Sequence, residues 1–152
     1  IQCAVGTYIA AGLYEKVLAI TPDKEKALAY AKAFDYSAWA EQLRIFLGTA
    51  ADTMIALEEK EQKYSVAKHQ ARLQVILEKW DTLCRIIREE IPSQKEIANI
   101  LEQIDAPKTP AEIGIDCDLL TTFKATKDIR DKYVLSRLLW DLGILEEILE
   151  NM

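Results

Sequence analysis

Glycine and proline are scarce, 5 and 4 in 152 residues, which excludes the turn-rich composition of a β-sandwich or barrel. Histidine is scarcer still, with a single copy. The three cysteines, Cys3, Cys84 and Cys117, are odd in number, far apart and form no CxxC pair. They suit buried free thiols in a reducing compartment better than a disulfide framework, so a cytoplasmic location is expected. Long hydrophobic runs are missing too. The longest uncharged stretch, from Ile1 to Tyr14, is too short to cross a bilayer and lacks the basic start and cleavage site of a signal peptide. There is no excess of basic charge: the net charge is -6, spread over mixed-sign segments. Such a surface does not neutralise phosphates by counterion release, so neither nucleic acid nor a membrane span is expected.

What is present is core-forming material, since 50% of the residues are hydrophobic and Ala, Leu, Glu, Lys and Ile dominate. The composition predicts an all-α chain, one helical domain over residues 1–152, with roughly seven to nine helices. The chain opens on Ile1 inside an apolar pattern, without Met or N-cap, so a preceding segment is expected. IQCAVGTYIAAGLYEKVLAI has apolar or small residues on nearly every face and reads as a central helix buried on most sides. Thr21 and Pro22 read as N-cap and first-turn proline of a helix running to about Phe34, and a DYS loop follows. Helical patterns from Ala38 to Leu47 and from Thr49 to about Gln62 are separated by Gly48.

The clearest stripe is Val66, Leu73, Ile76, Leu77, Trp80, Leu83, Cys84, Ile87 and Ile91, predicting one helix from Ser65 as N-cap to Pro92 as stop. Leu73, Ile76, Trp80, Leu83 and Ile87 are its expected core residues. SQKE at Ser93–Glu96 is a capping box opening a helix to about Ile104. TPAE at Thr109–Glu112 repeats the device, with Gly114 ending the turn in a left-handed conformation. A last helical block covers Asp118 to Leu142, closed by Gly143 and followed by ILEEILE.

The chemical inventory is thin. His69 stands at the edge of the Val66/Leu73 stripe; a lone acid or base is one reading, and a half-buried structural imidazole is favoured because no Cys, Ser or carboxylate signature accompanies it. No HExxH, ExxH or CxxC spacing supports a metal site. Trp39, Trp80 and Trp140 sit among helical apolar residues and read as core rather than as a binding box. In KATKDIRDKYVLSR the pairs Lys124/Asp128, Lys127/Asp131 and Asp128/Lys132 are four apart, as in solvent-exposed helical ion pairs. Arg130 and Arg137, seven apart, could share a face as a phosphate or carboxylate clamp, but the neighbouring acids favour a neutralised surface.

The order IPSQKEI, then APKTPAEIGID, then TKDIRDKYVLSRLLWDLG, resembles the C-terminal helical domain of bacterial glycerol-1-phosphate dehydrogenases, members of the dehydroquinate synthase and iron-containing alcohol dehydrogenase superfamily. KYSVAKHQARLQVILEKWDTL is similar to the long helix of that domain and IQCAVGTYIAAGLYE to its buried helix, so the likeness spans essentially the whole chain. The resemblance implies a parent enzyme that reduces dihydroxyacetone phosphate to sn-glycerol 1-phosphate with NADH or NADPH and a divalent metal, zinc or nickel. The chemistry would be hydride transfer to a metal-polarised carbonyl in a cleft between a nucleotide-binding and a helical domain. The family's ligands are an Asp and two His, and the second His belongs to a His-Gly pair just before the position of Ile1. No residue of this chain matches a ligand, His69 falls in the family's long helix, and the glycine-rich nucleotide-binding segment is absent. The implied role is therefore one wall of the cleft and a homodimer surface, partnered by an N-terminal nucleotide-binding domain, with the chain alone inactive. The same architecture also serves glycerol dehydrogenases and carbocycle-forming lyases, and a stand-alone helical interaction module is the remaining reading.

Overall fold

A computed structural model describes residues 2–116, 118–129 and 131–150. Among them there is no strand, and the all-α expectation holds. There are ten α-helices, eight of them eight residues or longer, and two 3-10 turns. The chain forms two compact units, one comprising the stretch up to Thr21 together with Lys79–Asp118, the other Pro22–Glu78 together with Leu119 onwards.

In the first unit, α1 (Gln2–Val17) packs against α7 (Gln94–Gln103). Gly12 makes the approach close: a Cβ there would lie 2.4 Å from the Gln94 amide nitrogen, which donates to the Tyr8 carbonyl. The Gln94 backbone N–H reaches Glu15 at 2.7 Å. α1 is one-sided rather than buried on most sides. Val5, Ala11, Leu13 and Val17 are buried, whereas Cys3, Gly6 and Thr7 face solvent. The thiols divide likewise, Cys84 buried and Cys3 exposed, with Cys117 outside the described residues.

The predicted helix over residues 66–91 is two: α5 (Val66–Glu78) and α6 (Trp80–Glu90). Lys79 leaves helical geometry at φ -108, ψ 9, with no glycine or proline to announce it. Leu73, Cys84 and Ile87 are buried as expected; Ile76, Trp80 and Leu83 are only partly covered and Val66 is exposed.

Local capping chemistry sets α7. Ser93 Oγ accepts from the Glu96 backbone N–H at 3.2 Å and Glu96 Oε2 accepts from the Ser93 N–H at 2.8 Å, the reciprocal capping box. The Ser93 hydroxyl, which donates to Glu96 Oε2 at 2.7 Å, and the Ser93 N–H together hold the Glu96 carboxyl below its usual range. Ser93→Ala is expected to cost about 1 kcal/mol, read as a lower urea midpoint with an unchanged slope. Thr109 and Glu112 form the equivalent arrangement before the Ala111–Ile113 turn, which ends at Gly114 with φ +70.

In the second unit, α2 (Lys24–Lys32) packs on α5, and α3 (Tyr36–Leu47) on α4 (Ala51–Glu61). Both α2 and α3 start elsewhere than expected, because aspartates supply the caps. Asp23 accepts from the Lys26 N–H and Asp35 from the Ala38 N–H, each at 3.0 Å. Gly48, at φ +58, ends α3 as expected. Ser65 Oγ accepts from the Lys68 N–H at 3.4 Å, acting as cap of α5. The predicted block over residues 118–142 is broken into α8 (Leu119–Thr126) and α9 (Leu135–Asp141), with residues 127–129 and 131–134 between them non-helical. α10 (Leu145–Glu150) packs on both. No helix among the described residues is long and apolar enough to cross a membrane.

Candidate functional site: a buried charge network beside a cleft

The break between α8 and α9 puts Asp128 indoors. Its Oδ1 accepts from Tyr64 Oη at 2.5 Å and Arg137 Nη2 at 3.1 Å; its Oδ2 accepts from Lys127 Nζ at 2.8 Å and Trp39 Nε1 at 3.1 Å. Four donors, two of them cations, converge on one carboxylate. The side chains of Lys127, Asp128 and Arg137 are 8%, 4% and 3% exposed. The helical pairs expected for Asp128 with Lys124 and Lys132 therefore do not form. Lys124 pairs with Glu146 at 3.3 Å, and Asp131 and Lys132 lie exposed outside any helix. Of the two arginines of the disfavoured clamp reading, Arg137 is buried in this network, and Arg130 lies outside the described residues.

Around the carboxylate the aromatic rings pack closely. Phe34 stacks on Tyr64 with centroids 3.9 Å apart, and Trp140 meets Tyr64 edge-on at 4.8 Å. The Arg137 guanidinium carbon lies 4.5 Å from the Tyr64 centroid, a desolvated cation–π contact. Its Nε and Nη1 have no hydrogen-bond partner. Trp39 and Trp140 are core residues, as expected; Trp80 is only partly covered.

One helical turn beyond Arg137, Asp141 anchors a second cluster. Arg72 forks onto both its oxygens, Nε to Oδ2 at 2.9 Å and Nη2 to Oδ1 at 2.8 Å, and Tyr133 donates to Oδ2. Burial pulls the Arg72 guanidinium down, and the Asp141 hydrogen bond and charge more than restore it. His69 is completely buried rather than at an edge. Its Nε2–H donates to the Asp141 carbonyl at 2.8 Å, and its Nδ1 has no partner. An imidazole held this way is structural.

Burial dominates the acid-base properties of the unit. It raises the Tyr64 hydroxyl well above its ordinary range, helped by the Asp128 charge. It raises Glu58 against the Tyr64 N–H that this carboxylate accepts. Tyr30, whose hydroxyl donates to Glu146 at 2.5 Å, is raised by burial and by that bond.

An alkaline prediction follows from the two tyrosines. Unfolded tyrosine ionises near ~10 while Tyr30 and Tyr64 stay protonated when folded, so their stabilisation is complete below that pH and is lost above it. Lys127 acts in the opposite sense, but its contribution stops growing at the ordinary lysine range of ~10.4. Following tyrosinate absorbance and helical ellipticity together, part of the absorbance of the six tyrosines should appear only as ellipticity is lost. Full ionisation with intact helicity would refute this.

Beside the network lies a cleft of about 540 Å³, lined by residues of α2, α3, α8 and α10 and by Lys127, Asp128 and Trp140. Its charged residues are Asp35, Asp128 and Glu146 against Lys124 and Lys127, so the lining leans acidic. Among the described residues no group of three or more His, Cys, Asp and Glu could hold a metal ion. With the single imidazole already committed to Asp141, the donors among the described residues do not fit the metal centre that the resemblance implies. No family model matches the chain, and no curated protein or solved structure matches it significantly.

Sequence reasoning missed Glu58, Tyr64, Arg72 and Asp141 as network members. A signal for two partners was present: Arg137 and Asp141 interrupt the apolar run VLSRLLWDLG, and polar residues inside such a run are buried with partners or not at all.

Proposed function

We propose that the chain is the helical, cleft-forming domain of a metal-dependent NAD(P)H glycerol-1-phosphate dehydrogenase of the dehydroquinate synthase and iron-containing alcohol dehydrogenase superfamily, inactive by itself. The supporting observation is the use made of TKDIRDKYVLSRLLWDLG, one of the segments that carry the resemblance. Its Lys127, Asp128, Arg137 and Asp141 are buried as scaffold, and its Gly143 shapes a helix end. In the parent, the metal would polarise a carbonyl for hydride transfer, with ligands and nucleotide site supplied by an N-terminal domain.

The test has two arms. Sequence encoded upstream of Ile1 should contain the His-Gly pair and a glycine-rich nucleotide-binding segment, and that longer protein should reduce dihydroxyacetone phosphate with NADH or NADPH in the presence of zinc or nickel. The 152-residue chain, titrated calorimetrically with zinc, nickel and NADH, should bind each more weakly than about 1 μM. Tighter binding with turnover by the chain alone, or an upstream sequence without either motif, would overturn the proposal.

A further inference from the structure

Lys127 belongs to two environments at once. Its side chain is buried, its Nζ lies 5.7 Å from the centroid of the Tyr64 ring, and the residue lines the 540 Å³ cleft. The amine donates to the Lys124 carbonyl at 3.0 Å and to Asp128 Oδ2 at 2.8 Å. That carboxylate is shared with Trp39, Tyr64 and Arg137, so it compensates the lysine charge only in part.

The charged groups around the amine are Asp128 beside it, Lys124 one turn back, Arg137 from α9 and Glu146 from α10. Burial lowers the Lys127 ammonium below the ordinary lysine range, against the attraction of Asp128, and the Arg137 charge adds to the lowering. A desolvated lysine next to a second cation is the arrangement that activates an amine as a nucleophile.

We propose that Lys127 is a carbonyl-reactive amine, and that the cleft beside it admits small, uncharged, hydroxylated aldehydes. The cleft volume leaves ample room for a small aldehyde, and Gln42 on its lining is a hydrogen-bonding side chain suited to a hydroxyl group. The acidic lean of the lining disfavours anions.

The neutral Nζ, its extra proton released to water, attacks the carbonyl carbon. The N–C bond forms, the C–O π pair moves to oxygen, and one nitrogen proton passes to that oxygen to give a neutral carbinolamine. Its hydroxyl takes a proton from water and leaves as water while the nitrogen lone pair forms the C=N bond, and the resulting iminium returns its remaining N–H proton to water; amine plus aldehyde gives imine plus water, with no redox change. On protonation the iminium keeps a cation opposite Asp128, so the network remains balanced.

The probe is glycolaldehyde with sodium cyanoborohydride, which reduces the iminium to a stable secondary amine, followed by peptide mapping at low conversion. At about pH 7 an ordinary lysine is neutral in fewer than about one molecule in a thousand. Lys127 should therefore be modified at least about tenfold faster than the exposed Lys79 and Lys95. Its rate should level off at a lower pH than theirs, a profile that mere accessibility does not produce. Lys127→Arg keeps the charge pair and should abolish the fast site alone. Modification of Lys127 no faster than Lys79 and Lys95, or only in urea, overturns the proposal, whether or not the arginine variant folds.

Discussion

Asp128→Ala is expected to cost about 3–5 kcal/mol of folding stability, the range for breaking a buried ion pair from one side. The loss does not come from the few atoms removed. It comes from Lys127 and Arg137, side chains 8% and 3% exposed, which would be left facing each other without a counter-charge. The Tyr64 hydroxyl and Trp39 indole would lose their acceptor in the same step, each adding the cost of a buried unpaired donor. Asp128→Asn keeps one acceptor oxygen but turns an amide N–H₂ toward cations, so most of the loss should remain. Combining Asp128→Asn with Lys127→Met removes one orphaned cation, and the double variant should be less unstable than the two single losses added together. Urea unfolding followed by tryptophan emission suits the comparison, because Trp39 and Trp140 both contact the affected cluster. A loss below about 1 kcal/mol for the alanine variant would mean that water enters and solvates the cations, contrary to the tight network described.

The same residue marks where the sequence stopped being legible. Features decided within four residues were read correctly: the Ser93–Glu96 box, its Thr109–Glu112 counterpart, the helix ends at Gly48 and Gly143, and the left-handed stop at Gly114. Helix identity also followed from periodicity, which fixed the fold class. Asp128 was misread because its charged neighbours at four-residue spacing mimic an exposed helix, whereas its Tyr64 and Trp39 donors stand 64 and 89 positions away. Four hydrogen bonds outweigh the few tenths of a kcal/mol that an exposed helical pair contributes. The break at Lys79 was invisible for another reason. The apolar stripe continues across it, and nothing in EKWD disfavours a helix. Among the caps, Thr21 and Pro22 read as N-cap and first-turn proline because Pro is common at a first helical position. The Asp23 carboxylate takes the cap instead by reaching the Lys26 N–H.

Gly143→Ala is the second large effect expected, about 2–4 kcal/mol of destabilisation, assembled from two separable parts. Gly143 closes α9 with the paired bonds of a Schellman motif: its own N–H reaches the Trp140 carbonyl at 2.9 Å and the Ile144 N–H reaches Leu139 at 3.0 Å. That motif needs a left-handed residue, and Gly143 has φ +70. An alanine there carries the cost of a left-handed L-residue, about 1–2 kcal/mol. The second part is spatial. A Cβ at this position would lie 3.0 Å from the Tyr30 Cβ and 3.1 Å from the Ala27 Cα. The latter is backbone of α2 and cannot swing aside as a side-chain end would. Either α9 separates from α2, or the turn that leads into α10 distorts; the Lys26–Glu147 ion pair and the Tyr30–Glu146 hydrogen bond join α2 to α10 and resist both. Gly114→Ala isolates the first part, since Gly114 has the same φ of +70 but nothing within 4 Å of the added Cβ. Its expected cost is about 1 kcal/mol. Measured side by side by urea unfolding, the two variants should differ by the price of the α2 contact, and equal losses would show that α2 yields to the new methyl group.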